Sequence, residues 1–299
     1  MPEIVVNGLQ LYYQSAGTGE SVVFVHGGFA GLRGASSLFD QETEAWDWTW
    51  ESDFAREFRF TWYDRRGCYH SSRPPNDDYS LEMQARDLAA LLDHLQIART
   101  HLIGSSAGGP ISVLFSATRP GRVRSLILAG TALDLFPRGE PVSDLIREQI
   151  RVLDREGPDA AYARRSTGVE DNLDLLWEIE EAKARGNLAE YLEEQQELTA
   201  RAQALPRPTR VRWYATALHN IKGYLDVDLA RLARQVRAPT LVLHGTADRM
   251  VPPALGEALA RAIPSARFQL IAGGPHGVIH RSDEGRQTAV DFIKSQLPG

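Results

Sequence analysis

The chain has 299 residues, 43% of them hydrophobic and 24% charged, a balance that supports a sizeable core and excludes a disordered chain. A net charge of −6 at pH 7 and a pI near 5.8 leave no broad basic surface for a phosphate backbone, which excludes nucleic acid as the expected partner. The single cysteine, Cys68, excludes an intramolecular disulfide and a cysteine-ligated zinc cluster, so no metal is expected. Met1 to Gly8 has no basic segment followed by an apolar one, and no run approaches the ~20 apolar residues of a membrane span. The expectation is a cytoplasmic protein with no membrane span, acting on a small molecule; the oligomeric state stays open.

Residues 3–14 read as two β-prone runs around Asn7-Gly8, a pair that takes the positive φ angles of a tight hairpin turn. Ser21 to Val25 and Phe58 to Tyr63 are short apolar runs that end in His26-Gly27-Gly28 and Asp64-Arg65-Arg66-Gly67, the pattern of buried strands leading into loops. From Ser80, an N-cap residue, leucines 81, 88, 91, 92 and 95 lay one apolar stripe along a helix that packs on a sheet. Strands at 100–103 and 124–129 flank a helix that ends near Arg119. The alternation predicts a parallel sheet covered on both faces. From about 140 to 235 the chain reads as helices only. Strands then return at 240–244 and 267–271, with helices at 254–263 and 283–296. The reading is therefore an α/β fold: a mostly parallel, eight-stranded sheet in a discontinuous core of 1–135 and 236–299, with an all-helical cap of 136–235.

Gly104-Ser105-Ser106-Ala107-Gly108 fits G-x-S-x-G between a predicted strand and a predicted helix. A sharp turn there pushes the Ser106 hydroxyl above the sheet, and the flanking glycines supply the room it needs. Ser105 is the weaker choice of nucleophile, because a frame shifted by one loses both glycines. The helix that follows directs unpaired N–H groups at the place where an oxyanion forms. The Ala107 amide is one candidate donor. The Gly28 amide, from the loop after the first central strand, is the other, provided the two strands are neighbours. His26 reads as a loop-fixing residue, and Phe29 as a substrate neighbour or a core residue.

A serine hydroxyl needs a base, and an imidazole base needs a carboxylate to hold its tautomer. Asp248 follows the strand 240–244 and His276 follows the strand 267–271, each in a Gly-rich loop at the carboxyl end of a strand. Asp134 is the competing acid and His280 the competing base. Taken singly, each of these residues is as well explained by turn formation; their joint placement carries the reading.

Together these residues resemble the α/β-hydrolase superfamily, in its branch with a helical cap after the sixth strand. The likeness covers nearly the whole chain. His26-Gly27-Gly28-Phe29 is similar to the family's oxyanion loop, Asp64-Arg65-Arg66-Gly67-Cys68 to its D-x-R-G-x loop, Leu243 to Asp248 to its acid loop, and the order Ser106, Asp248, His276 to its catalytic order. The resemblance implies a hydrolase with no cofactor that works through an acyl-enzyme. Serine at the elbow argues against haloalkane dehalogenases and epoxide hydrolases, which place aspartate there. Two segments are also similar to proline iminopeptidases, but those carry Trp where this chain has Ala107. Tyr69-His70 departs from the small residue common in the D-x-R-G-x loop.

The leading reading is a serine hydrolase that cleaves a carboxylic ester or lactone. Alternatives on the same machinery are a proline-type aminopeptidase and a C–C bond hydrolase acting on a diketone. Of a different class is a slow-turnover ligand-binding or regulatory protein on the same fold. Trp177, Trp213, Tyr214 and His219 either line the pocket or pack helices. Glu178, Glu180 and Glu181 either hold a substrate amine or form a solvated face. Trp46, Trp48 and Trp50 lie in a long stretch that adds a wall to the pocket.

Overall fold

The computed structural model describes residues 3–29, 51–165, 179, 182–183, 186–225 and 227–297. Strands β1 (Glu3–Val6) and β2 (Leu9–Ala16) form the expected hairpin, with Asn7 and Gly8 both at positive φ in the turn. The remaining strands are β3 (Ser21–Val25), β4 (Arg59–Tyr63), β5 (Thr100–Ser105), β6 (Val123–Ala129), β7 (Thr240–Gly245) and β8 (Ala266–Ile271). They make one eight-stranded sheet in the order β1-β2-β4-β3-β5-β6-β7-β8. β1 and β2, and β2 and β4, are antiparallel; every other neighbouring pair is parallel. The fold is the predicted mostly parallel α/β sheet flanked by helices.

Alternation along β3 shows why its sequence is apolar without a break. Val23 and Val25 join one core with Leu88, Leu91, Leu102 and Ile111, while Val22 and Phe24 join another with Phe54, Phe60, Val290 and Ile293. Both faces of the strand are therefore buried. Helices α2 (Leu81–His94) and α3 (Gly108–Thr118) cover the first face, and α1 (Glu51–Ala55) lies on the second. The Ser80 side chain caps α2 by accepting from the Met83 N–H at 3.3 Å.

Between β6 and β7 the described residues include only helices: α4 (Pro141–Glu156), α5 (Pro158–Ala163), α6 (Leu188–Gln203), α7 (Arg207–Lys222) and α8 (Leu229–Ala233). α4, α5 and α7 pack on one another, and Ile146, Ile150, Leu218 and Ile221 continue the first core. α8 instead packs on α3 and on α9 (Pro253–Ala262), which lies against β7 and β8. α10 (Asp283–Lys294) closes the second face. No helix among the described residues is long and apolar enough to cross a membrane.

Chain order reverses at β3, since β4 is laid down on one side of it and β5 on the other. The loops leaving β3 and β5 therefore diverge at adjacent carboxyl ends, where parallel sheets open a crevice.

Candidate active site

Ser106 follows β5 with φ of +48°, a left-handed conformation that costs a non-glycine residue roughly 1–2 kcal/mol. Three hydrogen bonds hold it there. Its N–H donates to the Ala129 carbonyl at 2.9 Å, and its carbonyl accepts from the Gly109 N–H at 2.9 Å and the Thr131 hydroxyl at 2.8 Å. A Cβ at Gly108 would collide with the Val25 carbonyl, and one at Gly27 would come within 2.8 Å of the Ser106 Cβ. Only glycines let β3, its loop and the start of α3 approach this closely.

The Ser106 hydroxyl lies 3.0 Å from His276 Nε2, and His276 Nδ1 lies 2.9 Å from Asp248 Oδ2. The carboxylate can only accept, so Nδ1 carries the proton and Nε2 is left to accept from the serine. Asp248 is buried. Burial raises its pKa, but hydrogen bonds from His244 and His276, the charge interaction with His276 and the Val251 N–H pull it down further, to about 2. The Val251 N–H donates to Asp248 Oδ1 at 2.8 Å. His244 Nε2 stands 2.8 Å from the Val251 carbonyl and 3.2 Å from Asp248 Oδ2, so one N–H is shared between them.

The competing residues sit elsewhere. Asp134 is exposed and its carboxylate accepts from the Phe136 N–H at 2.8 Å. The His280 ring stands edge-on to Phe24 at 5.4 Å, and burial together with the Arg281 charge pushes its pKa down to about 3. Ser105 is the last residue of β5 and is buried.

The Gly28 and Ala107 amides leave the carboxyl ends of two strands that pair directly, β3 and β5, and Ala107 is the N-cap of α3. His26 fixes the first loop. Its Nε2 accepts from the Arg65 N–H at 3.0 Å, so Nδ1 carries the proton and donates to the Gly27 carbonyl at 2.6 Å. Burial and the Arg65 charge keep this ring neutral. Phe29 is half-buried, with the rings of Phe136 and Tyr224 each 5.3 Å away.

In the segment between β6 and β7, Trp213 is buried with the Arg73 guanidinium 5.0 Å above its ring. Tyr214 packs edge-on against Tyr162, and His219 faces Asp77 at 3.9 Å. Each of the three thus has a packing or surface contact. Trp46, Trp48, Trp50, Trp177, Glu178, Glu180 and Glu181 lie outside the described residues. The Tyr69-His70 departure has a local explanation. Tyr69 adopts φ of +45° and sets its ring against His26 at 5.2 Å, while the His70 N–H and Nδ1 both reach Asp64 Oδ2, at 3.0 and 2.9 Å.

Sequence reasoning gave no role to Thr131, His244, Arg65 or Tyr224, although each is hydrogen-bonded to a candidate site residue or its loop. His244, like His26, stands at the end of a buried strand, which was the available signal. Tyr224 carried none.

A 2-hydroxy-6-oxo-2,4-heptadienoate hydrolase from Pseudomonas putida is 26% identical over 296 residues, covering 98% of this chain and 96% of its own. The structure of an enol-lactonase from Burkholderia xenovorans superposes with a TM-score of 0.65 at 25% identity, over 98% of this chain and all of that one. A thermophilic esterase from Thermogutta terrifontis has the same fold, with a TM-score of 0.68 at 22% identity over the full length of both chains. The family model described as alpha/beta hydrolase fold matches residues 20–282, and the chain belongs to that family.

Proposed function

We propose that this member of a hydrolase superfamily is a serine hydrolase that cleaves a carboxylic ester or lactone of a small molecule. The observation that carries the reading is the hydrogen-bonded series Ser106, His276, Asp248, at 3.0 and 2.9 Å. Ser106 Oγ attacks the carbonyl carbon as its proton passes to His276 Nε2, and Asp248 holds the imidazole and stabilises the imidazolium. The tetrahedral oxyanion accepts from the Gly28 and Ala107 N–H groups. His276 returns the proton to the leaving alcohol, which leaves Ser106 acylated. Water then attacks the acyl-enzyme by the same route and releases the acid. Phe29 contacts the substrate, and the helices of 136–235 cap the crevice and exclude water.

The test is the initial rate of the wild type and of Ser106→Ala on p-nitrophenyl esters of short and medium chain length. The wild type is expected to turn over, and the variant to lose at least ~10³-fold. Equal rates for the two proteins would remove Ser106 as the nucleophile. A second reading, C–C bond hydrolysis, is favoured by the relative named for 2-hydroxy-6-oxo-2,4-heptadienoate. Turnover of such a dienoate without ester cleavage would select it, and cleavage of a proline arylamide alone would select an aminopeptidase.

A further inference from the structure

Arg65 follows β4 and is only 1% exposed. Burying a guanidinium is unfavourable unless a carboxylate lies opposite, yet among the described residues none does. The neighbouring acids are committed elsewhere: Asp87 to both edges of the Arg66 fork, and Asp64 to His70. Arg65 spends its donors on neutral oxygens instead. Nη2 donates to the Gly27 carbonyl at 3.2 Å and to the Gly28 carbonyl, and Nη1 donates to Gln84 Oε1 at 2.9 Å and to the Tyr224 hydroxyl at 2.7 Å. The Tyr224 hydroxyl, buried like the guanidinium, passes its own proton on to the Ala107 carbonyl at 2.9 Å.

These acceptors belong to the residues that flank the candidate oxyanion. The Gly27 carbonyl shares a peptide plane with the Gly28 N–H, so hydrogen bonds accepted by that oxygen, from Arg65 and from His26, aim the N–H and strengthen it as a donor. Ala107 is held from both sides: Tyr224 binds its own carbonyl, and Thr131 binds the Ser106 carbonyl, in the plane of the Ala107 N–H. We infer that Arg65 and Tyr224 are positioning residues that tie the Gly28 and Ala107 donors to one buried cation, an inference that rests on the serine hydrolase reading. Tyr224 follows α7, so the helical segment itself supplies one end of the tie. The guanidinium also adds a fixed positive charge behind the two amides, which favours an oxyanion over a neutral carbonyl.

The decisive variant is Tyr224→Phe, which removes one hydroxyl and keeps the ring against Phe29. Its kcat on a p-nitrophenyl ester is expected to fall about tenfold, the equivalent of one hydrogen bond, with KM within twofold of the wild type. Its affinity for phenylboronic acid, which forms an anionic tetrahedral adduct on a serine, is expected to weaken by about the same factor. Arg65→Met is expected to lose about 10²-fold in kcat, approaching the loss of a donor; if it does not fold, Tyr224→Phe still decides. A purely structural role would instead lower the melting temperature and leave the boronate affinity in step with KM. Unchanged kcat and boronate affinity in Tyr224→Phe would overturn the inference, as would losses that only follow a fall in melting temperature. Labelling the wild type with a fluorophosphonate separates the two levels. No adduct on Ser106 would overturn the serine hydrolase reading and this inference with it, whereas an adduct together with a normal Tyr224→Phe would overturn this inference alone.

Discussion

Three donors converge on the Asp248 carboxylate: Oδ2 receives N–H groups from two histidines, and Oδ1 receives a backbone amide. Three donors to one buried carboxylate favour its ionised form, which is why its pKa falls to about 2 although burial acts the other way. A folded-state pKa below the unfolded value contributes stability that is present above about pH 4 and lost as pH falls through about 2. The size is about 2 kcal/mol. Denaturant unfolding of the wild type and of Asp248→Asn is expected to show the wild type losing its advantage as pH falls from about 4 through about 2. The same substitution is expected to cost about 10⁴ in kcat through the wrong imidazole tautomer, by analogy with a serine protease. At Ser106 the positive φ stores strain that its three hydrogen bonds hold in place.

At the scale of elements, α2 does more than lay an apolar stripe on the sheet. Gln84 and Asp87 sit three residues apart on its buried face and take one arginine each from the loop after β4. Asp87 engages Arg66 through both oxygens, at 2.6 and 2.8 Å, and also accepts from Asn7 Nδ2 at 2.8 Å. The first hairpin, the loop after β4 and α2 thus meet at one carboxylate. Asp87→Ala leaves the Arg66 guanidinium buried and unpaired, and the expected cost is about 3–5 kcal/mol. Urea titration is expected to show the midpoint falling with the m-value unchanged.

For the whole molecule, the reversal of chain order at β3 and the loops after β5, β7 and β8 assemble the candidate site along one edge of the sheet. The fold also buries histidines in their neutral form. Burial and nearby arginines push His101 down to about 4 and His280 to about 3, and His26 is lowered as well. The unfolded chain binds these protons near pH 6.5 while the folded chain does not, so stability is complete above pH 6.5 and falls as pH drops toward the folded values. His101 and His280 each contribute roughly 1.4 kcal/mol per pH unit between pH 6 and 5. Chemical denaturation at pH 7, 6 and 5 is expected to show this slope, and His101→Gln is expected to remove one histidine's share of it.

Much of this was legible in the amino-acid sequence because it is local. Strand and helix periods, the Asn7-Gly8 turn, the Ser80 cap and the G-x-S-x-G turn each depend on a few neighbouring residues, and chain order alone placed Ser106, Asp248 and His276 after strands. The roles of Arg65, Tyr224, Thr131 and His244 depend on which atoms meet. Arg65 and Tyr224 are 159 positions apart, and Ser106 and Thr131 are 25 apart. A buried arginine reads from its type as a surface residue, and a tyrosine in a helical stretch reads as packing. Nothing local says that a hydroxyl at 224 reaches a carbonyl at 107. The sequence by itself therefore determined the layering of the sheet and the residue types available for chemistry. Only the tertiary structure decided which donors face which oxygens, because hydrogen-bond partnership follows distance and direction in space rather than separation along the chain.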